Sequence, residues 1–160
     1  MTITIGERVP DVTVLESAGG GTPVETADLL GHGKVVLFAV PGAFTPTCSD
    51  AHLPGFVLRA GELKAKGVDT IVCTAVNDAY VMAAWGEAQG VGDDVVMVSD
   101  GTGELARAMG MEVDIPVHGL GARSKRYAAI IEDGVVTWLG VEASPGDHEL
   151  SSADAVLAAL

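Results

Sequence analysis

The stretch VVLFAVPGAFTPTCSDAHLPGF, Val35 to Phe56, decides how this chain is read. Val35 to Val40 is a short apolar run rich in β-branched residues, the composition of a buried strand, and Pro41 with Gly42 ends it. A helix is expected beyond that turn. Thr45 followed by Pro46 matches a capping residue with proline at the first helical position, which sets Cys48 in the first turn. The partial positive charge of a helix start favours an anion, so the pattern points to a thiolate at Cys48. Unpaired backbone N–H groups of that first turn should add donors around the sulfur. The plainer alternative is a buried, inert thiol, the common fate of an isolated cysteine, and the helix start argues against it.

A cation near Cys48 would complete the activation. The arginines are Arg8, Arg59, Arg107, Arg123 and Arg126. Only Arg123 and Arg126 share a basic cluster, ARSKR, which leads into the strand-like run YAAII. Arg126 is therefore the candidate partner of the sulfur. His52 follows Cys48 by four residues and should face the same side of the helix, where it could act as a general base or pack and hydrogen-bond. Packing is preferred, because a thiolate already stabilised by a helix end needs no base. His32, His118 and His148 have no ligand spacing with cysteine or carboxylate, so no zinc site is expected.

Leu53, Phe56, Val57, Ala60 and Leu63 continue with helical spacing, Pro54 should kink this helix near its start, and Gly67 should end it. Asn77 or Asp78 caps a second helix through Ala88, and a third runs from about Gly103 to Met109. TIVCTAV and VVMVS read as strands between them. Alternating strand and helix implies an α/β fold with a parallel core, and YAAII with VVTWLGV around EDG reads as an antiparallel hairpin. Cys73, inside TIVCTAV, reads as a small buried hydrophobe. A disulfide to Cys48 is the alternative and needs α-carbons within about 7 Å. Tyr80, Met82 and Trp85 on one helix read as core or interface packing rather than an aromatic binding face. GTGEL lacks the lysine and spacing of a phosphate loop, and the only flexible cluster is the glycine run at 19–21. A single domain over residues 1–160 is expected.

The run PGAFTPTCS resembles the active-site loop of the peroxiredoxins, in the form typical of the type-5 subfamily of thiol peroxidases, with Pro41, Thr45 and Cys48 at the family's spacing. HLPGFV, LKAKGV, VNDAYVM, AAWG, KRYAAIIEDGVV and the following GVE extend the resemblance over most of the chain. It implies a thioredoxin-like fold, a central mixed sheet flanked by helices. It also implies that Cys48 is the peroxidatic cysteine, oxidised to a sulfenic acid by hydrogen peroxide or alkyl hydroperoxides. By the same resemblance Thr45 contacts the peroxide and orients the thiolate, Arg126 holds the thiolate and polarises the O–O bond, Pro41 closes the pocket against water, and His52 stands behind these residues. No metal or organic cofactor is implied. The tail SPGDHELSSADAVLAAL contains no cysteine, and Ser151 or Ser152 stands where some relatives carry a resolving cysteine. The resemblance then implies a one-cysteine cycle closed by an outside thiol, with glutathione and glutaredoxin favoured and thioredoxin second. A redox sensor on the same fold, oxidised without turnover, is the alternative.

With 22 acidic against 9 basic side chains the formal charge is −13, which disfavours nucleic acid and anionic membranes as partners. Mean hydropathy is +0.37, yet the apolar runs are only strand-sized. The excess suggests a subunit interface, and a homodimer is expected. MTITIGERVP has neither the basic start nor the apolar core of a signal peptide, and two unpaired cysteines fit a reducing compartment. A bacterial cytoplasm is the expectation, although an organelle protein without its transit peptide would read the same.

Overall fold

The computed structural model describes residues 1–160. Its strands are β1 (Thr13–Glu16), β2 (Thr22–Glu25), β3 (Lys34–Ala39), β4 (Thr70–Ala75), β5 (Val96–Ser99), β6 (Glu112–Ile115), β7 (Gly121–Ser124), β8 (Tyr127–Glu132) and β9 (Val135–Val141). Its helices are α1 (Thr26–Leu30), α2 (Leu53–Ala65), α3 (Ala79–Ala88), α4 (Glu104–Ala108) and α5 (Ala153–Ala159). Seven strands form one sheet in the order β2-β1-β5-β4-β3-β8-β9, and β6 pairs with β7 in a small second sheet. The expected parallel core is present as β3, β4 and β5, and the antiparallel neighbours on both sides make the sheet mixed. This is the thioredoxin-like architecture that the resemblance implied.

β3 lies between β4 and β8 and is buried on both faces, which is why its sequence is continuously apolar rather than alternating. Val36, Phe38 and Val40 point into a core shared with Phe56, Leu63, Met82 and Trp85, whereas Val35, Leu37 and Ala39 face Leu105, Met109 and Tyr127. Phe38 stacks on Phe56 of α2 with ring centroids 4.0 Å apart and planes 8° from parallel. Such a pair contributes about 0.5–1.5 kcal/mol beyond the area it buries. It clamps the start of α2 against the central strand. Met82 and Trp85 lie in this core, but Tyr80 of the same helix is 75% exposed, so the aromatic run divides between core and surface.

Asp78 caps α3, accepting from the Val81 N–H at 2.9 Å, while Asn77 accepts from the Ala43 N–H instead. α4 is shorter at both ends than the Gly103 to Met109 estimate, with Gly103 in a left-handed conformation before its first turn. The hairpin β8–β9 turns at Asp133 and Gly134, both with positive φ, as a two-residue turn of matching twist requires. The glycine run is an ordered turn rather than a free linker: Ala18–Gly20 form a short 3-10 helix, and Gly19, Gly20 and Gly21 all have positive φ. No helix is long and apolar enough to cross a membrane.

Candidate active site

Three segments meet where β3 leaves the sheet. β8 begins with Tyr127 opposite Ala39, so Arg126 emerges from the sheet beside the loop that starts at Val40. The loop from Pro41 carries the chain into a helix that begins at Pro46, and Cys48 sits in its first turn as the sequence predicts. Ser49 makes the first bond of this helix, its N–H donating to the Thr45 carbonyl at 2.9 Å. The N–H groups of Thr47 and Cys48 precede that bond and have no backbone or side-chain acceptor, leaving two free donors in the turn that carries the sulfur.

The expected kink at Pro54 takes another form. Residues Cys48–His52 make a π-helical turn, in which the Leu53 N–H donates back to the Cys48 carbonyl. Pro54 has no N–H to give the Asp50 carbonyl, and its ring crowds that carbonyl, so the wider turn absorbs the misfit.

Cys48 is fully buried and Arg126 is 2% exposed. Arg126 Nη2 donates to Cys48 Sγ at 3.0 Å. Thr45 Oγ1 lies 2.8 Å from the same sulfur and 2.7 Å from the Gly42 carbonyl. A hydroxyl has one proton, so it donates to one of these at a time. Thr45 thus contributes its carbonyl to the helix start, while its side chain serves the sulfur and Gly42 rather than capping the first turn. Pro41 is buried at the mouth of the loop, and its carbonyl accepts from Arg123 Nη1 at 3.4 Å. Arg123, the other arginine of the basic cluster, also donates to the Leu120 carbonyl of its own segment and makes no hydrogen bond to the sulfur.

Arg126 has further partners that the sequence indicated only in part. Its Nε donates to the Pro145 carbonyl at 3.0 Å, and its Nη1 meets His52 Nδ1 at 2.9 Å. A guanidinium has only donors, so His52 Nδ1 must accept, and the imidazole proton sits on Nε2, which donates to the Ser151 carbonyl at 2.9 Å. Burial first, then the charge of Arg126, hold the His52 imidazole well below its ordinary pKa. His52 is thus a neutral hydrogen-bonding residue behind the arginine, with its base nitrogen already occupied.

Ser151 is itself fixed, donating from its N–H and its hydroxyl to Glu142 Oε2 at 2.7 and 2.6 Å. Glu142 and Ser151 were missed in the sequence as members of this cluster. The available signal was an acidic residue at the end of β9 with a hydroxyl residue shortly before α5. Ser152, the other residue considered, caps α5 instead, accepting from the Ala155 N–H. Cys73 lies fully buried on β4, its thiol pushed well up by burial and then by the neighbouring Cys48, and both cysteines are free. The disulfide alternative is therefore not formed. No group of three or more histidine, cysteine or carboxylate side chains is arranged to hold a metal. Chemically, the cluster presents a sulfur at a helix start with a cation and a hydroxyl converging on it and two unpaired backbone N–H groups in the same turn.

Residues 4–157 match the redoxin family. The chain is 53% identical to peroxiredoxin-2E-2, a chloroplastic protein of Oryza sativa subsp. japonica, with the match covering 99% of this chain and 73% of that protein. It is 49% identical to the chloroplastic peroxiredoxin-2E of Arabidopsis thaliana, over 99% of this chain and 69% of the relative. Among solved structures, reduced Prx3 from Vibrio vulnificus in complex with hydrogen peroxide superimposes with a TM-score of 0.92 at 48% identity, covering 99% of each chain. The expected cytoplasmic location is corrected by these matches, since both plant relatives are chloroplastic proteins. A start without signal-peptide features did not distinguish the two compartments.

Proposed function

The chain belongs to the peroxiredoxin family and is a thiol-dependent peroxidase, and we propose that it works through a sulfenic acid at Cys48 in a one-cysteine cycle. The observation that carries this reading is the convergence of Arg126 and Thr45 on the Cys48 sulfur at 3.0 and 2.8 Å. The Cys48 thiolate attacks one oxygen of the hydroperoxide, an S–O bond forms as the O–O bond breaks, and the leaving oxygen departs as hydroxide or alkoxide. That oxygen takes up a proton as water or alcohol. Arg126 and the free N–H groups of Thr47 and Cys48 stabilise the charge that develops, and a donor so placed contributes on the order of 2.7–4 kcal/mol to such a step. Thr45 receives the peroxide O–H in the rotamer that directs its own proton to the sulfur, and Pro41 shields the thiolate from water.

One outside thiol then condenses with the sulfenic acid, releasing water and leaving a mixed disulfide. A second thiol displaces it, regenerating Cys48 and forming the disulfide of the reductant. Glutathione with glutaredoxin is the proposed reductant and thioredoxin the second choice; an outside thiol is favoured because the C-terminal tail holds no cysteine and Cys73 is buried on β4 with its thiol pushed well up. One domain over residues 1–160 carries the whole site. A homodimer is the proposed assembly, supported by exposed Phe44, Tyr80 and Val117 at 56, 75 and 58% on segments flanking the Cys48 loop. A monomer mass by light scattering at micromolar concentration would overturn that assembly.

The test mixes reduced protein with hydrogen peroxide alone, then with glutathione and glutaredoxin, then with thioredoxin and its reductase. Sustained peroxide loss with the glutaredoxin system is expected. A single stoichiometric burst that neither system renews would refute the cycle and favour the sensor.

A further inference from the structure

We infer that Glu142 and Ser151 are positioning residues for the peroxide step, fixing the tautomer of His52 and through it the guanidinium of Arg126. The inference rests on the peroxidase reading for its kinetic consequence, while its structural consequence is independent of that reading.

The contacts form a closed circuit. Glu142 Oε2 accepts both the N–H and the hydroxyl of Ser151, which fixes the residue whose carbonyl receives His52 Nε2–H. That bond keeps the proton on Nε2 and turns the Nδ1 lone pair toward Arg126 Nη1. The Glu142 backbone N–H in turn donates to the Arg126 carbonyl at 3.0 Å, so one residue holds the arginine at its backbone directly and at its side chain through two intermediates. Nothing else grips Nη1, and no carboxylate pairs with the guanidinium, whose remaining contacts are the Pro145 carbonyl and the sulfur itself. If the proton moved to His52 Nδ1, two donors would face each other at 2.9 Å and the guanidinium would have to turn.

Glu142 is 6% exposed, and Ser151 and His52 are fully buried, so water offers no ready substitute for these bonds. Burial works to raise the Glu142 carboxyl, but the hydrogen bonds from Ser151 together with the backbone N–H groups of Leu150 and Glu149 outweigh it and hold the group below its usual range, as an ionised acceptor.

The experiment uses the full chain in three variants, Glu142→Ala, Glu142→Gln and Ser151→Ala, each checked for native fold by near-UV circular dichroism. Two quantities are read: the second-order rate of Cys48 oxidation by hydrogen peroxide, and the His52 imidazole nitrogen shifts by ¹⁵N NMR. Wild type should show the pure Nε2–H tautomer. Glu142→Ala should give a mixed tautomer and slow oxidation by about tenfold, the scale expected when a reacting group is misplaced by a fraction of an ångström. Glu142→Gln keeps an acceptor oxygen for Ser151 and should restore most of both signals. Ser151→Ala loses one of the two bonds and should fall between wild type and Glu142→Ala, which keeps the test available if Glu142→Ala does not fold. A folded Glu142→Ala variant with wild-type tautomer or wild-type rate would overturn the inference, as would Ser151→Ala unchanged in both. Wild-type protein that fails to consume peroxide at all would instead refute the peroxidase reading, and the tautomer measurement would still decide the positioning claim.

Discussion

Replacing Arg126 with alanine should slow the reaction of Cys48 with hydrogen peroxide by about 10²–10³-fold, the effect of removing one preorganised donor from developing charge, about 2.7–4 kcal/mol. The structure sets the terms of this estimate. Arg126 makes three hydrogen bonds, to the Pro145 carbonyl, His52 Nδ1 and Cys48 Sγ, and the last is the one aimed at the reacting centre. Because no carboxylate pairs with it, its loss leaves no buried carboxylate uncompensated, and the fold should survive with water entering the space the side chain vacates beside the exposed 143–147 loop. Arg126→Lys keeps the charge, yet one ammonium cannot take up the fork that serves His52 and the sulfur together, so it should recover only part of the rate. The assay is stopped-flow fluorescence of Trp85, whose indole N–H donates to the Ser49 hydroxyl at 3.0 Å, next to Cys48. The other tryptophan, Trp138, is removed as Trp138→Phe to isolate the signal. A folded Arg126→Ala variant oxidised within threefold of wild type would refute the assignment of Arg126 to this step.

Cys48→Ser should abolish peroxide consumption while Cys73→Ser leaves it nearly intact in a coupled peroxide assay, and an inactive Cys73→Ser protein that is still folded would sink the one-cysteine account. Thr45→Val removes a hydroxyl bonded to a charged group, a contact of about 1.5–3 kcal/mol, and should slow oxidation by about 10- to 100-fold with no effect on iodoacetamide access to a urea-unfolded control. Acid should destabilise the fold through His52: its folded pKa lies well below 6.5, so its contribution is complete above about 6.5 and is lost as pH falls from there toward the folded value. His148, lowered in the same sense by burial and then Arg126, adds to the loss. Urea melts at pH 7.5, 6.0 and 5.0 should show stability falling by up to about 1.4 kcal/mol per pH unit for His52, with a smaller share from the half-buried His148, and a flat profile would contradict the neutral assignment.

The central strands, the helix start at Cys48 and the hairpin turn at Asp133 and Gly134 were legible because each is written locally, in composition, in one capping pattern and in one two-residue turn. The basic cluster narrowed the partner to Arg123 and Arg126, and the family resemblance was needed to give Arg126 its catalytic role. The rest depends on contacts far apart in sequence. β1 and β2 are short edge strands with mixed exposure, and their pairing is set by the sheet they join rather than by periodicity. Glu142 and Ser151 look like ordinary residues of a strand end and a loop until β9 and α5 converge on His52. The wide turn before Pro54 was visible only as a disturbance, because sequence marks the missing N–H and not how the backbone absorbs it.

That wide turn also sets the angular phase between two jobs on one helix. Each residue of an α-helix advances the side-chain direction by about 100°. One extra residue accommodated in Cys48–His52 therefore lets Leu53, Phe56, Ala60 and Leu63 point into the core at the angle α2 needs, while Cys48 points at Arg126. The turn thus works as a fixed angular offset between nucleophile and scaffold, letting one helix present its sulfur and its apolar face in directions that a regular helix would not combine.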